Sequence, residues 1–207
     1  MDYQPGVIAE KVEDHDTATR ALRERMDADY QLERLEAYNT NEDDGDAYKS
    51  FTANEPRTYA SKVVSMLASA KMMLRVPHLD TEPEERERHD NKERLLYGLL
   101  NAGDERLMRL LQPRLQDQLA WFVALRGWWT VHALLAKRKD GTTYVRLEPW
   151  DPRNTYWQLG EDGLIWVCYR QTKDRTQVES EYGVQLTERY GKEDAVELYN
   201  WWDTTNN

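Results

Sequence analysis

The stretch that decides the fold is "LEPWDPRNTYWQLGEDGLIWVCYR", residues 147–170. It contains three tryptophans, the only cysteine of the chain and two turn signals, Asp151–Pro152 and Gly160–Gly163. Runs rich in aromatic and β-branched residues, when separated by turn residues, are typical of strands. The segments "TYWQL" and "LIWVCYR" therefore predict a β-hairpin around the two glycines.

The second of these segments predicts a central strand. Successive side chains of a strand point to opposite faces, so Trp166 and Cys168 share one face and Ile165, Val167 and Tyr169 share the other. Both faces are apolar, and we expect both to be covered. The same argument places the Trp157 and Trp166 indoles in a core rather than on a platform for stacking a ligand.

More strands lie on either side of this stretch. "WWTVHALLAKRKDGTTYVRLEP" predicts a hairpin that turns at Asp140–Gly141, with Val145 and Leu147 pointing inward on a half-exposed strand. "AVELYNWWD" predicts a last strand. Residues 175–190 are ambiguous and suggest a short helix followed by a turn at Gly191.

Residues 1–127 show helical periodicity instead. The apolar spacing predicts a first helix from Thr17 to Tyr38. A second helix begins in "NEPRTYASK", where Pro56 suits the first turn, and we expect Pro77 to end it.

Two more helices are predicted before the strands begin. "TEPE" at residues 81–84 has the spacing of a capping box, and Asn101–Gly103 would end the helix that it starts. Asp104 would cap a fourth helix, which Pro113 should kink or divide and Gly127 should terminate. Helices in residues 1–127 and antiparallel strands in residues 128–207 together predict an α+β fold, with the N-terminal helices packed on the C-terminal sheet as one unit.

Composition narrows the function classes. Charged residues make up 32% of the chain, and residues 1–50 carry −8 of the net charge of −10. An acidic chain without a basic stripe is a poor candidate for tight nucleic-acid binding, since Lys and Arg supply most of that affinity, although a surface along which DNA slides is compatible with it. No segment has the roughly 20 apolar residues of a membrane span. The acidic start lacks signal-peptide features, and a single cysteine favours a reducing compartment, so we expect a cytosolic protein.

Enzyme signals are weak, and we expect no catalytic, metal or cofactor residues. His15 and His89 adjoin carboxylates in charged helical stretches, where a solvated face is expected, and Cys168 should be a buried, inert thiol. A hydrolase using Glu148, Asp151 and His132 is the weaker alternative. Capping of a turn by Asp151 and a hydrogen-bonded structural His132 are the simpler interpretations.

Two pairs of adjacent tryptophans, Trp128–Trp129 and Trp201–Trp202, stand apart from the others. Adjacent strand residues face opposite ways, so one indole of each pair needs cover from helices or from another subunit. These four residues are candidate interface residues. The main alternative is a binding module in which Trp128, Trp157 and Trp201 line a groove for single-stranded nucleic acid or carbohydrate.

Several segments, in order, resemble the N-terminal, wing-region part of portal proteins from tailed double-stranded DNA bacteriophages. They are "DYQLERLEAYNTNEDDGDAYKSFTANEPRTYASKVVSMLASAKMMLRVP", "ERLLYGLLNAGDERL", "LRGWW" and "LEPWDPRNTYWQLGEDGLIWVCYR". The resemblance spans residues 25–203. It implies structural roles for a set of motif residues: Gly127, Trp150, Asp151, Pro152, Asn154, Trp157, Gly163 and Trp166.

The resemblance also implies a function and partners. Portal proteins are structural proteins of the virion that form a ring, usually a dodecamer, at one capsid vertex. The ring conducts double-stranded DNA without sequence-specific binding during viral genome packaging and DNA ejection, and it serves as the head-tail connector. The implied partners are other copies of the chain, the major capsid protein or scaffold, the terminase large subunit and a head-tail adaptor, with assembly in the host cytoplasm and no membrane. Such proteins are longer, with stem, clip and crown after the wing, so we expect this chain to be a fragment.

Overall fold

The chain has the predicted α+β fold, with helices towards the N-terminus and antiparallel strands towards the C-terminus. The computed structural model describes residues 5–36, 53–76, 83–137, 140–186 and 195–204. The helices in this part of the chain are α1 (Pro5–Ala18), α2 (Arg20–Glu33), α3 (Glu55–Ser69), α4 (Pro83–Arg109), α5 (Leu115–Arg126) and α6 (Arg175–Tyr182). The strands are β1 (Thr130–Lys137), β2 (Thr143–Trp150), β3 (Thr155–Gly160), β4 (Gly163–Asp174) and β5 (Ala195–Asp203).

The chain divides into two compact units. One contains Met1–Met26 and Trp150–Asn207, and the other contains Asp27–Pro149. This division does not follow the expected boundary between residues 127 and 128. The reason is that α1 packs with the C-terminal strands, whereas β1 and nearly all of β2 belong with α3, α4 and α5.

In the first unit, β4 is the central strand of an antiparallel sheet with the order β3-β4-β5, as the sequence predicts. Trp166 and Cys168 are buried on one face and form a core with Val12 of α1 and Tyr156 of β3. The expectation that both faces are covered is wrong, because Ile165 on the opposite face is 41% exposed.

The N-terminal helices differ from the prediction of one helix from Thr17 to Tyr38. α1 begins at Pro5 and ends at Ala18, and α2 starts directly afterwards. The Thr19 hydroxyl donates to the His15 carbonyl oxygen at 2.7 Å at this break. α2 ends before Tyr38, because Leu35 adopts a left-handed backbone with φ of 64°. Residues 37–52 lie outside the described part.

In the second unit, Pro56 stands in the first turn of α3 as predicted. The helix ends at Ser69 rather than near Pro77, and residues 70–76 have no regular secondary structure. Side chains of α4 hold this segment in place. The Tyr97 hydroxyl accepts from the Leu74 amide at 2.8 Å, and the Glu93 carboxylate accepts from the Val76 amide at 2.9 Å.

α4 runs through the predicted C-cap at Asn101–Gly103 and ends at Arg109. Gly103 is buried, and a Cβ there would lie 2.9 Å from Leu147 Cδ1, so the glycine permits close approach of the helix to β2. Asp104 was expected to cap a new helix beginning at the next residues, but it lies inside α4. Its carboxylate accepts from the first amide of α5, that of Leu115, at 2.7 Å. The predicted start of α4 at residues 81–82 lies outside the described part.

The remaining boundaries agree with the sequence. The helix is interrupted around Pro113, between α4 and α5, as expected for a proline in a helical pattern. Gly127 ends α5 with φ of 83°, and its amide donates to the Val123 carbonyl at 3.1 Å. β1 and β2 pair as the predicted hairpin, with Leu147 in the core of the unit. α6 is the predicted short helix, while Gly191 lies outside the described residues.

No helix in the described part of the chain has the length and hydrophobicity required to cross a membrane.

Candidate functional site

The motif residues around Trp150 form a packed turn. Pro152–Asn154 is a single 3-10 turn, and the Asp151 carboxylate accepts from the Arg153 amide at 2.9 Å. Trp150 is 3% exposed, and its indole stacks on the Tyr169 ring with centroids 4.9 Å apart and planes 6° apart. Asp151 therefore caps a turn, as the simpler of its two sequence interpretations predicts, and Trp150 packs beside it.

The indoles of the C-terminal strands also contact one another. Trp166 is 6% exposed, stacks on Trp201 at 4.7 Å and donates to the Gln158 side-chain oxygen at 2.6 Å. Lys11 of α1 lies over the Trp201 ring at 5.6 Å. Trp201 therefore lies on the core face of the sheet and is covered within its own unit, and Trp202 is the indole of this pair on the opposite face. Trp202 is half-buried.

Two other motif residues lie within the hairpin of β3 and β4, Trp157 in β3 and Gly163 at the start of β4. Trp157 is half-buried rather than fully internal, and its ring centroid lies 4.8 Å from that of His15. Gly163 opens β4 with φ of 118°. Trp157 therefore meets a helix residue that the sequence did not associate with it.

Trp128 and Trp129 lie before β1 instead of inside a strand. Trp128 is half-buried, whereas Trp129 is 53% exposed. Of the four candidate interface residues, Trp129 is thus the one with the most accessible indole.

Trp129 borders a cavity of about 510 Å³ in the second unit, which we name the apolar groove. Its walls come from α3 and the segment after it, from α4 and α5, and from the β1–β2 hairpin. Its lining includes Leu67, Lys71, Met72, Leu119, Val123 and Trp129. The groove was not predicted from sequence, because it depends on α3 ending at Ser69 rather than near Pro77.

A second exposed apolar surface lies in the first unit, on residues 159–165, which we name the hairpin tip. Leu159 is 63% exposed, Leu164 52% and Ile165 41%. Leu159 and Leu164 are register partners across β3 and β4, so their side chains project from neighbouring positions. The turn between them carries Glu161 and Asp162, both exposed.

The residues of the hydrolase alternative do not form a nucleophile-and-base arrangement. His132 Nδ1 lies 3.7 Å from Glu148 Oε2, and Arg106 and Arg146 pair with the same carboxylate. The nearby His132 imidazole, followed by the two arginines, lowers the pKa of Glu148 from its ordinary value, against the opposing effect of burial. The carboxylate thus serves ion pairs, while Asp151 belongs to the other unit and caps a turn.

Sequence reasoning missed a cluster centred on Arg23. This arginine is 4% exposed, and its Nε lies 3.0 Å from Asp16 Oδ1. Its guanidinium lies 4.1 Å from the Tyr156 ring centroid and donates to the Thr155 carbonyl oxygen at 3.1 Å. The four-residue spacing of His15, Thr19 and Arg23 was the available signal, but these polar residues interrupt the apolar pattern used to find helices.

The expectation of a solvated His15 is wrong. The imidazole lies 5.8 Å from the Tyr156 ring and 6.1 Å from the Trp166 ring. Burial, helped by the nearby Arg23 cation and opposed by Asp16, lowers the pKa of His15. Cys168 is fully buried, and burial raises the pKa of its thiol to about 12, so the thiolate is scarce at neutral pH.

Within the residues that the structure describes, no group of three or more His, Cys, Asp or Glu side chains is arranged to hold a metal ion. The chain matches no family model, and a search of curated proteins finds no match.

Proposed function

We propose that this chain is a structural subunit of a bacteriophage portal ring, acting at the capsid vertex as a conduit for DNA and as a joint between head and tail. The observation that carries the proposal is apolar surface left open in both units. Trp129, beside the apolar groove, and Leu159 and Leu164, at the hairpin tip, are each more than 50% exposed. Exposed apolar patches occur at surfaces that bind another protein, a membrane or a ligand.

The form of these surfaces favours a ring over a two-fold dimer. A two-fold dimer joins one patch to the same patch on its partner, whereas a ring joins two different patches. One surface here is a concave groove and the other is a projecting hairpin. A chain that carries both is suited to head-to-tail contact between identical subunits.

The portal resemblance adds the specific identity of the ring. Its motif residues are used in packing: Trp150 stacks on Tyr169, Asp151 caps the turn, and Trp166 stacks on Trp201. Structural use of these residues supports a scaffold, because a catalytic or ligand-stacking motif would direct its side chains into an accessible cleft. The net charge of −10 suits a conduit that does not grip the phosphates of passing DNA.

The test is the mass and shape of the particle that the chain forms. Native mass spectrometry and negative-stain electron microscopy should show closed rings of about a dozen subunits with a central channel. A stable monomer at every concentration, or an open filament, would contradict the proposal. Tight, salt-dependent binding of single-stranded oligonucleotides by such a monomer would instead favour the aromatic-groove alternative, since stacking supplies about 1–3 kcal/mol per base.

A further inference from the structure

We infer that the hairpin tip of one copy of the chain inserts into the apolar groove of a neighbouring copy. This inference rests on the proposed ring and names the contact that would build it. The two surfaces belong to different compact units of the chain, so the contact is between two different patches of identical molecules.

The hairpin tip has the form of an inserting element. β3 and β4 are joined by the short Gly160–Gly163 turn, and their last side chains project beyond the buried part of the sheet. Leu159, Leu164 and Ile165 leave three partly exposed aliphatic side chains at one end of the hairpin. Covering their exposed parts at an interface would remove apolar surface from water, which favours association.

The apolar groove has the form of a preformed receptor. Its lining includes residues of the segment after α3, which is fixed by hydrogen bonds to Tyr97 and Glu93. The Gln116 side chain also donates to the Ala70 carbonyl oxygen at 2.6 Å and to that of Leu67 at 3.2 Å. A groove held open in this way loses little conformational entropy when a partner enters it.

Charge complementarity favours the hairpin tip as the occupant of the groove. Among the described residues that line the groove, Lys71 alone carries a charge. The turn of the hairpin tip carries two carboxylates, those of Glu161 and Asp162. Opposite charges at the rim of an apolar contact orient the partners and raise the association rate, and like charges there would disfavour insertion.

The contact can be tested with single cysteines, because the natural Cys168 is fully buried and should not react in the folded chain. Leu164→Cys and Val123→Cys place thiols on the tip and in the groove. Mixing the two variants with a short bismaleimide should give covalent dimers, and neither variant alone should give them. Leu95→Cys, exposed on α4 outside the groove, is the matched control for Val123→Cys.

Three results would overturn the inference. One is the absence of cross-linking between the tip and groove variants in a wild-type-like assembly. Another is equal cross-linking of Leu164→Cys with Leu95→Cys, which would mean that the tip meets no particular partner. The third is cross-linking of Leu164→Cys with itself, which would show a two-fold tip contact.

A charge exchange provides an independent measurement in solution. Leu164→Asp should weaken self-association about 30-fold, as expected for loss of a central apolar contact worth about 2 kcal/mol. Lys71→Glu should also weaken it, and combining Lys71→Glu with Glu161→Lys and Asp162→Lys should restore it. The melting temperature of each variant shows that the fold is retained.

The inference and the proposed function fail in different ways. Closed rings that persist with unchanged stability in the Leu164→Asp variant would refute the tip contact and leave the portal proposal standing. Head-to-tail association that depends on the tip but grows into open filaments would support the contact and refute the portal proposal. A wild-type chain that remains monomeric would refute both.

Discussion

Replacing Trp150 by alanine removes an indole that is 3% exposed and stacked on the Tyr169 ring. A buried aromatic side chain covers about 150–250 Å². At about 25 cal/mol per Å² of apolar surface, its burial contributes about 4–6 kcal/mol. Alanine substitutions of buried aromatic residues cost about 3–5 kcal/mol, in the same range. We expect Trp150→Ala to lower the free energy of unfolding by about 3–5 kcal/mol.

The assay is thermal unfolding of purified variants, followed by circular dichroism. For a chain of this size, about 1 kcal/mol corresponds to about 2–4 °C in the melting temperature, so Trp150→Ala should melt about 6–20 °C below wild type. Trp129→Ala is the matched control. Its indole is 53% exposed, so the same substitution in the monomer should change the melting temperature by only a few degrees. Melting of Trp150→Ala within about 2 °C of wild type would refute the packing role of the motif turn.

Three further predictions concern the helices. Because the pKa of His15 is lowered in the fold, the unfolded chain takes up the proton first as the pH falls, and the stability that neutral His15 confers is present above about pH 6.5 and lost below it. Between pH 7.5 and 5.5 the melting temperature of His15→Asn should therefore fall less than that of wild type. Equal falls in melting temperature would contradict this. On α4, Gly98→Ala should raise the free energy of unfolding by about 1 kcal/mol, because nothing lies within 4 Å of the added carbon. Gly103→Ala should lower the free energy of unfolding by displacing Leu147. Urea titration measures both changes, and changes of the same sign would refute the prediction. In the same titration, Asp104→Ala should lower the free energy of unfolding by about 0.5–2 kcal/mol, because it removes the acceptor for the first amide of α5. Asp104→Asn should lower it less, since the amide oxygen can still accept. An unchanged free energy of unfolding for Asp104→Ala would rule out the cap.

The strands were predictable because their signals are local. Alternation over a few residues and turn residues at fixed positions identified β1 to β5, and the arrangement of residues on the two faces of β4 identified it as central. Gly127 and Pro113 likewise act through their own backbone geometry. Predictions of this kind require no knowledge of distant parts of the chain.

The helix boundaries were less predictable because tertiary contacts decide them. Gly103 reads as a helix end from sequence alone, yet it lies inside α4, where the absence of a side chain allows contact with Leu147. From sequence alone Asp104 is expected to cap a helix that begins at the next residues, yet its carboxylate accepts from the first amide of α5, beyond the interruption between α4 and α5. In both cases a long-range contact uses the residue whose local preference suggested a boundary.

The candidate surfaces could be predicted only in part, because exposure depends on which side chains find cover within the same unit. The two tryptophan pairs were equivalent by sequence, and one indole of each was expected to need cover from helices or from another subunit. Trp201 faces the core, where it stacks on Trp166 and contacts Lys11 of α1, a helix that begins twelve residues earlier than the apolar pattern indicates, and Trp202 is half-buried. Trp129 remains 53% exposed beside the apolar groove. Among the residues that the structure describes, an assembly surface is therefore best sought where apolar side chains stay exposed outside the core of their unit, and the groove and the tip meet this criterion, whereas the stacked indoles of Trp166 and Trp201 do not.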